Sequence, residues 1–442
     1  MNTSVGNKPQ AEPQKPDTGK PAPEKKRLKR ELTVRQKPGT VTRFLGEMDR
    51  PFLIIVLLLV CIGSIAVFSA SYAHSANRYG DSYALARPQL MYVLGGVAAM
   101  ATIAAFGPLA LAFLRKAAYP IFFFAIGMNA VVRFFGENYN GATRWLTIGG
   151  IQFQPSEFLK FALVLICAAH TVRNRDRMHT FLHGVLPFGI FLFLAAGTTL
   201  LQSHLSATII CCIIVYAMMW LGGTGAKFLG VVTGLLAAGG ASLVLWGREI
   251  IGKIVPHALI RLDVWDDPFS FMSNASGGKG WQPAQSLYAI SSGGFWGLGL
   301  GQSNQKHGYL PEPYNDYIFA IICEEMGYFG AVLIIGLFVA FAWRGFYIAT
   351  HSQDKFSSLL VMGIIAHVII QVVLNICVVT NTIPSTGISL PFFSYGGTAL
   401  IMQLAEMGIM LNISQQKYYP EPEPVPVNKD EEGTDEATPI NA

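Results

Sequence analysis

Residues 52–72 read FLIIVLLLVCIGSIAVFSASY, a run without a single charge. About 20 apolar residues of helix cross the roughly 30 Å hydrocarbon layer of a bilayer, so this stretch predicts a membrane span. Nine more of similar character follow it, at 88–107, 117–134, 156–172, 182–201, 205–222, 228–247, 317–343, 357–380 and 396–414. The fifth and sixth are separated only by Gln202, Ser203 and His204, a tight reversal. The expected fold class is therefore all-α: a polytopic membrane protein with ten transmembrane helices.

The whole composition agrees. The 442 residues are 52% hydrophobic and 13% charged, with a mean hydropathy of +0.40, whereas soluble domains carry about 25% charge. That excludes a soluble enzyme, a disordered scaffold and a nucleic-acid binder working through a basic face. Charge gathers at the ends. Residues 1–50 hold 12 Lys/Arg against 6 Asp/Glu, and residues 416–442 hold 2 against 7. We read a basic, disordered cytoplasmic tail over 1–50, a transmembrane domain over 51–415, and an acidic, Pro-rich cytoplasmic tail over 416–442. Cys61, Cys167, Cys211, Cys212, Cys323 and Cys377 all fall in apolar runs, where cysteine acts as a small hydrophobe.

Lys and Arg in short loops set the orientation. Arg115-Lys116, Arg173, Arg175, Arg177, Lys227, Arg344 and Lys355 all fall on the side of the basic N-terminal tail; Arg78 and Arg87 are the mild exception. The N-terminal side is thus the cytoplasm, and ten spans return the C-terminus to it. Two substantial loops, 135–155 and 248–316, lie outside, the larger between spans seven and eight.

Charged groups inside spans cost about 2.5–3.5 kcal/mol each, which marks them as functional candidates. Glu157 and Lys160 sit three apart on one helix face; Glu324-Glu325 and Glu406 with Gln403 are others. His367, Gln371 and Asn375 recur at steps of four and line one face, which equally suits hydrogen bonding between helices. Outside, Arg144 stands beside Trp145, and Arg261 precedes Asp263, Asp266 and Asp267. Five glycines in residues 293–301 suit either a backbone nest for phosphate or a tight interfacial reversal. Asp316 heads span eight. A carboxylate there is either a helix cap or, partly desolvated, a base.

These motifs resemble the SEDS family (shape, elongation, division and sporulation; FtsW, RodA and SpoVE). The resemblance covers nearly all of 45–415. It rests on Asn140-Gly141-Ala142 with Arg144-Trp145, Gln154-Pro155-Ser156-Glu157 with Lys160, Asp267-Pro268, Gln285-Ser286-Leu287 and Gly299-Leu300-Gly301. It continues through Leu310-Pro311-Glu312-Pro313 to Asp316, Pro384-Ser385-Thr386-Gly387 and Leu390-Pro391-Phe392-Phe393-Ser394-Tyr395-Gly396-Gly397.

The resemblance implies a peptidoglycan glycosyltransferase that polymerises lipid II at the outer face of the bacterial cytoplasmic membrane. Its partners would be a class B penicillin-binding protein and other divisome membrane proteins, with no nucleic acid. Asp316 matches the family's catalytic aspartate, and Glu157 with Lys160 matches an acid–base pair of its central cavity. Arg144, Arg261 and Lys306 are then candidates to hold the substrate diphosphate, and Glu312 and Ser394, inside the shared motifs, join the substrate-binding set. The chemistry admits a divalent cation, Mg²⁺ or Mn²⁺, bridging diphosphate and carboxylates, and calls for no organic cofactor. The basic leading tail, Phe68-Ser69-Ala70-Ser71 and the Pro/Glu-rich end are most similar to the FtsW branch, which implies a place at the division septum; elongation (RodA) and sporulation (SpoVE) polymerases share the core. A lipid II flippase and a non-catalytic divisome scaffold are the rival functions. One departure is plain: many members have Pro-Asp-Leu-Gly-Thr after span five, whereas here His204 follows Gln202 and Ser203.

Overall fold

The computed structural model describes residues 47–139, 142–148, 151–202, 204–239, 256–272 and 280–416. Expectations for most of the leading tail, Asn140-Gly141, Ser203, the second half of span seven and the acidic tail fall outside these residues.

Among the described residues a helix falls in each of the ten expected stretches, in the seventh only as far as Gly239. They are α1 (Arg50–Tyr79), α2 (Ala86–Ala105), α3 (Pro108–Phe135), α4 (Pro155–Arg173), α5 (Phe181–Leu201), α6 (Leu205–Leu221), α7 (Ala226–Gly239), α10 (Ile318–Thr350), α11 (Lys355–Val379) and α12 (Gly397–Ser414). Among the described residues, seven are long and apolar enough to cross a membrane: α1 to α5, α10 and α11. Two more, α6 and α7, are apolar but shorter. Two helices within the loop 248–316, α8 (Pro256–Asp266) and α9 (Trp281–Gly293), go beyond the ten expected stretches.

The starts follow from local chemistry. Asp49 caps α1, accepting from the Phe52 amide at 2.9 Å, with Pro51 in the first turn. The same carboxylate takes a bidentate bond from Arg344 near the end of α10, 2.8 Å at its shortest, so the first and tenth helices are pinned together at one end.

The all-α expectation needs one correction. Loop 135–155 contains an antiparallel sheet of β1 (Glu137–Tyr139), β2 (Ala142–Ile148) and β3 (Ile151–Phe153), in the order β1-β2-β3. Leu146 stands opposite Phe153 and Trp145 opposite Glu137. Threonine, tryptophan and isoleucine populate β2, types that favour a pleated, half-buried surface. The sheet fixes Arg144 at a defined position over the helix ends.

The bundle is built around α4. Of its most apolar window 89% is buried, against 22% for α2 and α3. A helix enclosed by protein on all sides can carry Glu157 and Lys160 without presenting them to lipid. Among the seven long apolar helices α11 is next, at 61%, and it too carries its polar residues inward: His367, Gln371 and Asn375 are all buried.

Candidate active site

The site begins at a broken helix. Residue Gly327 in α10 takes φ 67°, ψ −166°, which interrupts the helix and leaves 318–326 as a short separate piece. The cause is the glycine-rich run. Leu298 and Gly299 amides donate to the Glu324 and Glu325 carbonyls at 2.9 Å, and the Tyr328 amide donates to the Gly294 carbonyl at 3.0 Å. A side chain at Gly297 would overlap the Glu325 carbonyl, and one at Gly293 that of Cys323. Of the two sequence readings for 293–301, the backbone pairing selects the interfacial reversal.

Asp316 lies two residues before this short helix, partly accessible on one side. Its carboxylate abuts Gly387: a Cβ there would sit 3.0 Å from Oδ2, and Gly387 has φ +69°, so the position is suited to glycine on both counts. The segment carrying Gly387 is held from three directions. Asn375 of α11 donates to the Asp316 carbonyl at 2.7 Å and the Ile388 carbonyl at 2.6 Å. Arg261 of α8 donates to the Ser385 carbonyl at 3.3 Å, and Ser206 of α6 to the Thr386 carbonyl. Further on, Ser394 donates to the Asn315 carbonyl at 2.8 Å while accepting from the Leu390 amide at 2.6 Å. That hydroxyl is engaged in holding the Asp316 loop. Glu312, at φ +45°, accepts from Asn315 at 3.0 Å on the same loop.

Lys160 and Glu157 form an ion pair of 2.8 Å, the lysine only 2% exposed. Lys160 also donates to Gln371 at 2.9 Å, and Gln371 donates to the carbonyl and hydroxyl of Ser389 at 3.1 Å. The buried pair is thereby linked through α11 to the loop that carries Gly387. Gln202 donates to the Asn129 carbonyl at 2.6 Å and Asn129 to the Pro155 carbonyl at 3.0 Å, which ties the reversal after α5 to the start of α4.

The charges of these elements act on one another. Burial, then the Glu312 carboxylate, push Asp316 up to about 6, opposed by the Arg144 guanidinium. Burial and the neighbouring Arg261 lower Arg144, and Asp316 raises it. His204 is pushed down to about 3 by burial and by the cations Arg144 and Lys160. Asp316, Glu312, Arg144, Arg261, Lys160 and His204 thus surround one region, and His204 is neutral in it.

Lys306 lies in a different cluster. Its ammonium pairs with Glu325 at 3.0 Å, both side chains buried, and Ser69 of α1 donates to the same carboxylate at 2.7 Å. The adjacent Glu324 accepts from the Ser303 hydroxyl and from the Asn304 amide at 3.0 Å. These two acids, which the sequence singles out as charges within a span, fasten the loop after the glycine run to the broken helix. Similarly, His367 meets Glu406 of α12 at 3.5 Å in the bundle interior, and Asp267 caps its own turn, accepting from the Phe269 and Ser270 amides. Sequence reasoning overlooked Ser206, Ser389 and the Gly387–Asp316 contact; Gly387 was quoted only as part of a motif, and its positive φ is the signal that an alignment-free reading lacks.

The arrangement can do two things. A carboxylate with proton affinity near 6 is ionised at neutral pH yet basic enough to take a hydroxyl proton. The guanidinium groups of Arg144, within electrostatic reach of Asp316, and of Arg261, within reach of Arg144, suit a diphosphate, which such groups bind in bidentate fashion. Among the described residues no group of three His, Cys, Asp or Glu side chains could hold a metal. Asp316 and Glu312 fit a divalent cation only if substrate oxygens and water supply most of its ligands, as Mg²⁺ accepts.

The sequence profile of the FtsW/RodA/SpoVE group, described as cell cycle proteins, matches residues 49–419. The stage V sporulation protein E of Bacillus subtilis is 37% identical over 374 residues, covering 84% of this chain and 98% of that protein. The probable peptidoglycan glycosyltransferase FtsW of Trichlorobacter lovleyi is 34% identical over 373 residues, covering 84% and 94%. Among solved structures, a chain of a peptidoglycan synthase complex described as coordinating polymerization and crosslinking superposes with TM-score 0.67 at 23% identity, over 83% of this chain and 97% of that one. That likeness concerns the fold.

Proposed function

The chain belongs to the FtsW/RodA/SpoVE family of cell cycle proteins, multi-pass membrane proteins, and from that membership we propose that it is a peptidoglycan glycosyltransferase that extends glycan strands from lipid II. Ten spans with both termini in the cytoplasm put Asp316 and both outer loops on the outer face. The observation that carries the reading is the Asp316 carboxylate, raised to about 6, beside Gly387 and under the influence of Arg144.

In the reaction Asp316 takes the proton from the 4-hydroxyl of an acceptor N-acetylglucosamine. The freed oxygen bonds to the donor's anomeric carbon, and the bond from that carbon to the lipid diphosphate breaks. General-base assistance of this kind contributes roughly 10²–10⁴-fold. Arg144 and Arg261 neutralise the departing diphosphate. Lys160 with Glu157 keeps α4, α11 and the Gly387 loop in register, so that the carboxylate and the cations hold their spacing. Glu312 and Asp316, with substrate oxygens and water, would hold a divalent cation, Mg²⁺ or Mn²⁺, which would supply further neutralisation of the diphosphate.

A class B penicillin-binding protein is the proposed partner, and the septum the proposed site of action, from the FtsW-like tails. The test is polymerisation of labelled lipid II by the purified chain, alone and with its cognate transpeptidase, beside Asp316→Asn. Loss of polymer in the variant supports the reading. Polymer made at the wild-type rate by Asp316→Asn overturns it, and lipid II crossing the bilayer without polymer favours the flippase.

A further inference from the structure

A cavity of about 560 Å³ opens between α9 and the loop that leads to Asp316, within the roughly 300–1,000 Å³ usual for small-molecule sites. Its walls are three aromatic side chains, Trp281, Tyr288 and Tyr309, and three amides, Gln285, Asn304 and Gln305, with His307 at the edge. Among the described residues no Asp, Glu, Lys or Arg lines it. Tyr288 and Tyr309 are 45% and 54% exposed, and the Trp281 ring is oriented by its indole N–H bond to the Tyr309 carbonyl. Gln285, only 6% exposed, also lines the cavity. The side-chain oxygen of Gln305 is buried and, among the described residues, unpaired. Buried amides normally find partners, so the idle Gln305 oxygen in this wall marks a place for a polar ligand.

Rigid aromatic faces interleaved with amides, without a charged side chain among the described residues, describe a site for a neutral saccharide. The rings cover the apolar face of a pyranose, while an amide donates to and accepts from hydroxyl or N-acetyl groups. The lack of cations disfavours the diphosphate, which belongs with Arg144 and Arg261. The cavity is also joined to the base: Gln282 donates to the Pro311 carbonyl at 3.2 Å, on the loop that ends in Asp316.

We propose that this cavity is a glycan-holding subsite, binding the β-1,4-linked N-acetylhexosamine backbone of the strand outside the reaction centre. The inference rests on the glycosyltransferase reading and refines it, because a held strand is extended again before it escapes. The experiment uses the full chain in nanodiscs and two readouts: binding of chitotetraose, a neutral N-acetylglucosamine tetramer, and the length of polymer made from lipid II. Tyr309→Ala and Gln285→Leu should each weaken chitotetraose binding about tenfold, the scale of one or two lost contacts, and shorten the polymer. Tyr309→Phe, which keeps the ring face, should stay within about twofold. Because Tyr309 is largely exposed, its truncation leaves the core filled.

Absence of chitotetraose binding by the wild type, or binding and polymer length that ignore both substitutions, overturns the subsite. Binding lost equally in Asp316→Asn would put the sugar at the reaction centre and also overturn it. Substitutions that release a co-purifying membrane protein but spare saccharide binding would make the cavity a protein-docking face instead. A wild-type chain that binds chitotetraose but makes no polymer, even with its cognate transpeptidase, overturns the polymerase reading and supports the saccharide site.

Discussion

Replacing Asp316 by asparagine should inactivate the protein and make it more stable at neutral pH. The carboxyl rises from 3.8 to about 6 on folding, chiefly through burial and then through Glu312. A raised carboxyl binds its proton more tightly in the folded state. Its contribution to stability is therefore fully present below pH 3.8 and is lost as pH rises through about 6. At about 1.4 kcal/mol per unit, the cost of keeping Asp316 ionised above pH 7 reaches about 3 kcal/mol, and its accessible edge reduces this to about 1–2 kcal/mol. Asparagine has nearly the same shape and no charge to desolvate. Thermal unfolding of both proteins in nanodiscs, followed by tryptophan fluorescence from pH 4 to 8, gives the comparison. Other titrating groups cancel in the difference. The two melting temperatures should coincide at the acid end, separate as pH passes about 6, and stay apart above 7, with asparagine higher. An asparagine variant no more stable than wild type at pH 7.5, or more stable by the same margin at every pH, would refute the claim that a desolvated carboxylate is held there.

The pH–rate profile should show an acid limb near 6, moving down in Glu312→Gln and up in Arg144→Gln, because the first removes a raising charge and the second a lowering one; limbs that stay together would disprove the coupling. Lys160→Met leaves Glu157 as an unpaired buried charge and should cost about 3–5 kcal/mol in denaturant unfolding, most of it recovered by adding Glu157→Gln. Gly387→Ala puts a methyl 3.0 Å from Oδ2 at a positive φ; turnover should fall about tenfold or more with KM little changed, since a small misplacement of the base is costly. Lys306→Met should act on stability and expression rather than on KM, because its ammonium serves Glu325.

The helical stretches were legible because each apolar run is long enough to state its own structure: 52–72 was read, and α1 covers Arg50–Tyr79. Asp316 was legible too, as an acid placed where a loop meets an apolar run. What escaped depends on partners distant in the chain. Nothing near Gly327 announces a break, since the backbone that opposes it comes from 294–299. Lys306 looked free for a phosphate because its partner, Glu325, lies across a turn and a helix start. The sheet in loop 135–155 escaped because its strands are short and stand next to spans whose hydrophobicity dominates any reading.

The interruption at Gly327 also has a mechanical meaning. A continuous helix would act as a stiff lever, carrying any tilt of residues 328–350 straight to the carboxylate at its head. Here the two pieces are coupled sideways, through a few amide bonds to the glycine strip and the Glu325–Lys306–Ser69 knot. Shape fluctuations of the long piece, or a neighbour leaning on it, therefore reach Asp316 damped, while a push on the strip itself would be felt there directly.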